Sequence, residues 1–230
     1  IDDLTNTTNI AEEDADLRPE CSTYTLEDHR PVVDVLFVVD QDGLSDYRKT
    51  VLKFVGELLV TADGTLHYRI GVTNMQPANG GTPVNEPTWE MSKSDVATAL
   101  DRAAFRCESS PTWSCDESEP HGLEVTRDFL RDVPAAGVSA ENPGPFGSGR
   151  VVPILVTDDE DAASVVGGAS KDEYVNFFSK YGTLAALTPG SGCPGGTKGD
   201  TYVDVVRAVG GGSADLCDGD WTELVRRIVL

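Results

Sequence analysis

The most restrictive feature of the sequence is the stretch VVDVLFVVDQDGLSD at residues 32–46. Its first eight residues are nearly all apolar, are rich in Val and do not alternate. This pattern is typical of a strand buried on both faces of a parallel sheet. Asp40, Asp42 and Gly43 follow at once, before a helical pattern begins. Because open α/β sheets bind ligands beyond the carboxyl ends of their strands, this stretch predicts a central strand and the edge of a site.

Alternating strand and helix patterns continue along the chain and predict a doubly wound α/β fold with a mostly parallel central sheet flanked by helices. The strands are predicted at residues 32–39, 67–72, 151–157, 183–187 and 214–216. The helices are predicted at 44–60, 94–105, 120–133, 170–181, 201–209 and from 220 onwards. Residues 75–90, which are rich in Pro, Gly and Asn, are expected to form a long loop.

Residues 1–30 differ from the rest because they are acidic, polar and almost without periodic apolar positions. Such a composition buries too little apolar surface to offset the entropy of ordering the chain. We therefore expect a disordered acidic tail or linker at 1–30, ahead of one domain at 31–230.

The chain is strongly acidic, with 39 acidic and 18 basic residues and a formal net charge of −21. This charge repels nucleic acid phosphates and anionic lipid headgroups, so neither is an expected partner. It favours divalent cations or basic partners, although an acidic coat adapted to salty surroundings explains the same composition. No run approaches the ~18 apolar residues of a membrane span, so no transmembrane segment is expected.

Five cysteines are present, and none lies in a CxxC pair. Cys107 and Cys115 flank a short loop, and Cys193 and Cys217 flank the last predicted strand-helix region, so each pair is expected to form a structural disulfide. Cys21 is left over: it pairs with another part of the protein, stays free or takes the place of one of the other four. Disulfides indicate an oxidising, extracytoplasmic compartment. The chain begins at Ile1 without a signal peptide and is expected to be the mature or trimmed form of an exported protein.

Two acidic clusters follow predicted strands: Asp40 with Asp42, and Asp158 with Asp159 and Asp161. If both strands are central and parallel, the clusters face each other at one edge of the sheet. Oxygen-only ligands suit Mg²⁺ or Ca²⁺, and several carboxylates favour Ca²⁺. The alternative is that these acids cap the amino ends of neighbouring helices.

The segments DVLFVVDQDGLSD, HYRIGVTN, PHGLE, VVPILVTDDEDAAS and YVDVVRAVGGGSADLC resemble the von Willebrand factor A domain, and most of all its exported bacterial, lipoprotein-type branch. The resemblance covers residues 31–230. It implies a binding or adhesion domain without catalytic residues, which contacts a protein or surface ligand through the carboxyl-end rim of the sheet. It also implies a lipid anchor upstream of this chain.

That family binds a divalent cation at an adhesion site of the form Asp-x-Ser-x-Ser, completed by a loop hydroxyl and an Asp after the fourth strand. By position, the resemblance assigns the two aspartates to Asp40 and Asp158. The serines fall on Asp42 and Leu44, and the loop hydroxyl falls on Glu117, beside Ser118. The implied ligands are therefore Asp40, Asp42, Glu117, Ser118 and Asp158, with Asp159 and Asp161 as additional candidates. So many carboxylates favour Ca²⁺ over Mg²⁺; the alternative is a structural module with a decayed, metal-free site.

A rival class is suggested by LFVVDQDG, which also resembles the Asp-x-Asp-Gly signature of haloacid dehalogenase-like phosphatases. That resemblance implies Asp40 as nucleophile and Asp42 as general acid/base, with Mg²⁺ as cofactor. In that family's terms, Thr157 would be the second motif. The Gly199–Asp200 pair and Asp204 would form the metal motif, and Lys198 or Lys180 would bind the phosphate. The family requires an apolar strand directly before Gly-Asp, and this chain has GSGCPGGTK there.

Overall fold

The structure is a computed structural model that describes residues 31–40, 44–76, 91–104, 120–131, 150–159, 161, 169–181, 183–190, 193 and 199–229. These residues form five strands: β1 (Val32–Val39), β2 (His67–Asn74), β3 (Arg150–Val156), β4 (Ala185–Thr188) and β5 (Gly212–Asp215). They also form six helices: α1 (Leu44–Ala62), α2 (Lys93–Ala104), α3 (Gly122–Arg131), α4 (Lys171–Phe178), α5 (Asp200–Ala208) and α6 (Thr222–Val229). Every predicted strand and helix is present, although some boundaries differ by a few residues. The predicted tail at 1–30 lies outside the described residues, as does most of the loop predicted at 75–90.

The five strands form one parallel sheet in the order β2-β1-β3-β4-β5. β1 lies between two partners: it pairs with β2 from Val32 to Val39, and with β3 from Val33 to Val39. The prediction that this strand is central and parallel is therefore confirmed. The doubly wound α/β fold is confirmed as well.

Side chains of β1 alternate between two separate cores. Phe37 and Val39 point towards the core formed with α1, α2 and α6, whereas Leu36 and Val38 point towards the core formed with α3, α4 and α5. All four side chains are fully buried. This double burial explains why the strand reads as a continuous apolar run, since each such side chain contributes roughly 1.5–3 kcal/mol when it leaves water.

The strand order creates a switch point between β1 and β3. The chain leaves β1 through α1 on one face and adds β2 on one side, whereas it leaves β3 through α4 on the other face and adds β4 on the opposite side. Because the two connections depart to opposite faces, a crevice opens between the carboxyl ends of β1 and β3. Ligands of doubly wound folds bind in this crevice.

The amino end of the sheet carries a buried ion pair. Asp34 on β1 is directly opposite Arg69 on β2, and the guanidinium donates two hydrogen bonds to the carboxylate, each of 2.8 Å. Asp34 is completely buried, and burial raises its pKa against the opposing effect of Arg69. The pair satisfies two polar groups that would otherwise be costly in a strand interior.

The chain's last helix is anchored by Trp221, which directly precedes it. Its ring is 1% exposed and packs edge-on against Phe54 of α1, with the centroids 5.8 Å apart. The indole N–H donates a 3.0 Å hydrogen bond to the carbonyl of Asp215, which ties the start of α6 to the end of β5. Among the described helices, none is both long enough and apolar enough to cross a membrane.

Candidate functional site

The centre of the candidate site is a hydrogen bond between two residues that directly follow the central strands. Asp40 comes after β1 and Thr157 comes after β3, and the Thr157 hydroxyl donates to Oδ2 of Asp40 over 2.6 Å. Asp40 is 5% exposed, and Thr157 is fully buried. Backbone bonds fix both residues, because the Asp40 N–H donates to Val156 O and the Thr157 N–H donates to Leu187 O. The bond therefore spans the switch point.

Thr157 also shapes the turn that carries the next two acids. Its hydroxyl oxygen accepts a 3.0 Å hydrogen bond from the N–H of Asp159. Hydroxyl side chains commonly stabilise turns in this way, by bonding the backbone two residues further on. Asp158, which is half-buried, is thereby held in a fixed turn directly beyond the switch point.

Asp161 takes a different position from the other acids, because it is fully buried beneath the rim. Its Oδ1 accepts a 2.9 Å hydrogen bond from the hydroxyl of Tyr202 on α5 and a 3.3 Å bond from the N–H of Leu123 on α3. The amino end of a helix carries partial positive charge and unsatisfied N–H groups, so a carboxylate is favourable there. Asp161 therefore caps the amino end of a helix, which was the alternative explanation for the acidic clusters. The helix is α3, which precedes Asp161 in the chain, and not the helix that follows it.

Burial raises the pKa of both Asp161 and Tyr202. Desolvation raises the pKa of Asp161 to about 6, against the hydrogen bonds from Tyr202 and Leu123, which lower it. Burial also raises the pKa of Tyr202 well above its usual range, and the nearby Asp161 charge adds to this effect. Tyr202 therefore remains a neutral hydrogen-bond donor at physiological pH.

Tyr202 and Gly122 lock together the elements under the rim. The Gly122 N–H donates to the Tyr202 hydroxyl over 3.2 Å, and the His121 N–H donates to the carbonyl of Met75 after β2. A Cβ at Gly122 would lie 2.9 Å from both the Met75 methyl and the Tyr202 ring, so only glycine fits. The start of α3 is thus held against β2 and α5 with little freedom to shift.

The far side of the rim is closed by a disulfide between Cys193 and Cys217. This confirms the predicted pairing of the two cysteines. Beside the disulfide, Asp215 Oδ1 accepts hydrogen bonds from the N–H groups of Gly190 (2.9 Å) and Cys217 (2.7 Å). A Cβ at Gly190 would overlap the Asp215 carboxylate, so glycine is required at this position.

The predicted ligand residues fall into two groups. Asp40, Asp158, Asp159 and Asp161 are described, whereas Asp42, Glu117 and Ser118, together with Cys107 and Cys115, lie outside the described residues. Among the described residues, the one trio of acids, cysteines or histidines with donor atoms within 4.8 Å of one another is Cys193, Asp215 and Cys217. Two of that trio are joined in the disulfide. The full cation site predicted at Asp40, Asp42, Glu117, Ser118 and Asp158 therefore stays a prediction.

Sequence reasoning assigned no cation-site role to Thr157 and missed Tyr202 entirely. Thr157 had a recognisable signal, because it is a polar residue at the end of an apolar strand that pairs with the Asp40 strand. Tyr202 had no such signal, since it continues the apolar stripe of α5 with Val205 and Val206. Its contact with Asp161 joins residues 41 positions apart.

The metal motif implied by the phosphatase resemblance falls at the start of α5. Gly199 has φ +57° and directly precedes α5, and Asp200 is the first residue of that helix. Asp204 is about half-exposed and is paired with Lys171 of α4 over 2.6 Å. Lys180 is an exposed residue just after α4.

Fold and site together define a doubly wound parallel α/β protein with a polar rim at its switch point. No protein-family model matches the chain, and no curated protein is significantly similar to it.

Similar solved structures include a von Willebrand factor type A protein from Catenulispora acidiphila, at 11% identity and a TM-score of 0.49, over 87% of this chain and 42% of that chain. The N-terminal domain of TFIIH p34 is similar at 12% identity and a TM-score of 0.49, and the match covers 87% of this chain and 97% of that chain. The PilB minor pilin from Streptococcus sanguinis is similar at 10% identity and a TM-score of 0.42, and the match covers 86% of this chain and 60% of that chain. The chain thus spans less than half of the first structure.

Proposed function

We propose that this chain is a von Willebrand factor A-like binding domain that holds a divalent cation at its switch point and contacts a protein or surface ligand there. The observation that carries the proposal is the Asp40–Thr157 hydrogen bond, which spans the carboxyl ends of the two central strands. Residues 34–46 and 151–164, two of the segments that carry the sequence resemblance, contain Asp40 and Thr157.

The chemistry of the donor atoms fits a hard cation. Asp40, Thr157 and Asp158 offer only carboxylate and hydroxyl oxygens, which are the ligands that Ca²⁺ and Mg²⁺ prefer. The Thr157 hydroxyl orients the Asp40 carboxylate at the rim, and it also stabilises the turn that contains Asp158. A bound Ca²⁺ would supply a coordination position for an oxygen atom of the partner.

The rigid surroundings of Asp40 support a binding role more than a purely structural one. Asp161 and Tyr202 fix the start of α3, and Glu117 and Ser118 precede that helix in the sequence. A cation ligand must be held in place by its neighbours if the site is to select one ion. The bonds beneath the rim would provide that support for residues on both sides of the crevice.

Calorimetric titration of the full chain with CaCl₂ and with MgCl₂ tests the proposal. We expect Ca²⁺ to bind more tightly than Mg²⁺, with a Kd of about 0.1–1 mM as in extracellular modules. Asp40→Asn should abolish binding, and Thr157→Val should weaken it. Thr188→Val is the matched control, because Thr188 is equally buried at the end of the neighbouring strand β4.

Two outcomes would overturn the cation site. The first is no heat of binding and no change in melting temperature at Ca²⁺ concentrations roughly tenfold above that Kd range. The second is equal Ca²⁺ binding by the chain and by Asp40→Ala, with unchanged capture of a partner; that result would favour a structural module with a decayed site.

A Mg²⁺-dependent phosphatase is a second candidate, since Asp40 and Thr157 also occupy the strand ends that this reaction uses for its nucleophile and its second motif. It predicts Mg²⁺-dependent release of phosphate from an aryl phosphate, abolished in Asp40→Asn. The absence of such release from the folded full chain would leave the binding domain as the better explanation.

We also propose that the protein works outside the cytoplasm. The Cys193–Cys217 disulfide supports this proposal, because structural disulfides persist in oxidising compartments. Mass mapping of the protein purified from its native host, without reductant, should find this pair oxidised; a reduced pair would contradict the proposal.

A further inference from the structure

A cleft between α1 and α6 is also lined by Lys93 at the start of α2. We name it the α1/α6 cleft. It has a volume of about 810 Å³, and the residues that matter for its chemistry are Lys53, Glu57, Val60, Lys93, Val225 and Arg226.

The floor of the α1/α6 cleft is apolar and open to solvent. Val60 is 79% exposed, and it is the exposed large hydrophobic residue of the described part of the chain. Val225 beside it belongs to the core that fills the space between α1 and α6. An apolar surface with a polar margin is typical of a place where another segment docks.

The margin of the cleft is basic, although the chain as a whole carries a formal charge of −21. It brings Lys53, Lys93 and Arg226 around the single acid Glu57. Arg226 already pairs with Glu223, and Lys53 lies 3.9 Å from Glu57 and over the Trp221 ring. Lys93 has no carboxylate within 4.0 Å among the described residues, which leaves its charge available to an acidic ligand.

The end of the Lys93 side chain lies against Gly56 at the cleft. A Cβ at Gly56 would lie only 2.7 Å from the Lys93 ammonium nitrogen, so the bare backbone of α1 accommodates the lysine at this point. The positive charge is therefore placed directly beside the apolar floor. A ligand that fits must combine carboxylates with small or aliphatic side chains.

Residues 10–17, IAEEDADL, have this composition. Four of the eight are acidic, and the others are Ile, Leu and two Ala. The segment is too polar to form a core of its own, but short acidic segments can order against a complementary surface.

The segment is also joined to the fold near the cleft. The carbonyl of Pro31 accepts a hydrogen bond from the N–H of His67, five residues after the end of α1 at Ala62. The thirteen residues between Leu17 and Pro31 give fourteen Cα–Cα steps, which can span up to roughly 46 Å when extended, whereas α1 is roughly 28 Å long. Linkage within one chain gives an effective concentration on the order of millimolar.

We propose that residues 10–17 dock in the α1/α6 cleft, with Lys53 and Lys93 binding their carboxylates and Val60 contacting their aliphatic side chains. This docking is independent of cation binding at the rim, because the cleft lies on α1 and α6 and not at the carboxyl ends of β1 and β3. A second copy of the chain is a poorer ligand, since two such acidic molecules repel each other.

Zero-length carbodiimide cross-linking of the full chain, followed by peptide mapping, tests the proposal. We expect Lys93 or Lys53 to become joined to a carboxylate of residues 12–16, with a yield at least about fivefold above that of Lys180, given the millimolar effective concentration. Lys180 is the control because it is an exposed lysine after α4, on the opposite face. Salt of ~1 M should suppress the link, because it shortens the Debye length to ~3 Å.

A variant that keeps every reactive group provides the decisive comparison. Val60→Glu places a negative charge on the cleft floor and should lower the yield several-fold, whereas Asn176→Glu, an exposed position on α4, should not. Equal yields at Lys93 and Lys180, or no effect of Val60→Glu, would overturn the proposal. So would links that join an isotopically labelled chain to an unlabelled one, since these would assign the cleft to a second copy. Val60→Glu should bind Ca²⁺ as the unchanged chain does, so the two proposals can fail separately.

Discussion

An aspartate is buried at each end of β1, on the same face of the sheet, but the two aspartates have different hydrogen-bond partners. At the amino end, Asp34 forms two hydrogen bonds with the guanidinium of Arg69, and the neighbouring Arg150 donates to Thr183 and to the carbonyl of Arg227. At the carboxyl end, Asp40 accepts a hydrogen bond from Thr157, a neutral group. The strand therefore carries one carboxylate matched by a charge within the sheet and one oriented by a hydroxyl.

Because of this difference, we expect Asp34 to contribute to stability and Asp40 to contribute to ligand binding. A bidentate ion pair between adjacent strands fixes their register and satisfies both groups, and it offers little to a ligand. A carboxylate oriented by a hydroxyl at the switch point lies at the place where ligands of this fold bind. We therefore expect substitutions at the amino end to act on folding, and substitutions at Asp40 to act on binding.

The largest effect on stability should come from breaking the amino-end pair. Arg69→Met leaves Asp34 buried without its charged partner, and it should lower the free energy of unfolding by about 3–5 kcal/mol. Urea denaturation measures this change. Combining it with Asp34→Leu should restore most of the loss, because both charges are then removed; a double variant as unstable as Arg69→Met would contradict this explanation.

Acid titration should reveal the buried carboxyl beneath the rim. Burial raises the pKa of Asp161 to about 6 from its ordinary value of 3.8, so the folded protein binds this proton more tightly than the unfolded chain does. Its contribution to stability is therefore fully present below about pH 4 and is lost as the pH rises to about 6, with a total of roughly 3 kcal/mol. Asp161→Asn should remove this component of the pH profile, measured by denaturation with a chelator present. An identical profile in that variant would refute the assignment.

A smaller effect is expected from the single hydroxyl that helps to hold the start of α3. Tyr202→Phe deletes the hydroxyl that bonds Asp161 and Gly122, and it should cost about 1–3 kcal/mol because both partners are buried. Tyr181→Phe, which deletes one partly buried hydrogen bond to the carbonyl of Leu130, should cost less. Thermal denaturation of both variants gives the comparison. Equal losses would argue against a special role for the Tyr202 hydroxyl.

The smallest effect should come from exposed ion pairs away from either end of β1. Arg48 of α1 pairs with Asp101 of α2, and both side chains are more than a third exposed. Arg48→Ala should change the free energy of unfolding by less than about 1 kcal/mol, because solvent screens the pair. A loss comparable to that of Arg69→Met would mean that burial does not decide the strength of ion pairs in this protein.

Local patterns were sufficient to predict the architecture. Residues 32–39 are apolar throughout because both faces of the strand are covered, and the helical stripe Leu123, Thr126, Phe129 and Leu130 is buried as its spacing predicts. The same patterns could not predict which distant residues meet beneath the rim. Asp161 and Tyr202 have no sequence relationship, and their contact depends on how α3 and α5 pack. Asp40 and Asp158 lie just beyond the carboxyl ends of β1 and β3, and the ligand roles that the resemblance implies for Asp40, Asp42, Glu117, Ser118 and Asp158 remain predictions.

The most direct test of the central claim is a crystal structure of the full chain grown with CaCl₂. We predict a Ca²⁺ ion bound by Asp40 at a distance of about 2.3–2.6 Å, with the Thr157 hydroxyl still hydrogen-bonded to the same carboxylate. Crystals in which Asp40 keeps its bond to Thr157 and no ion lies at the switch point, at a Ca²⁺ concentration well above the expected Kd, would contradict it.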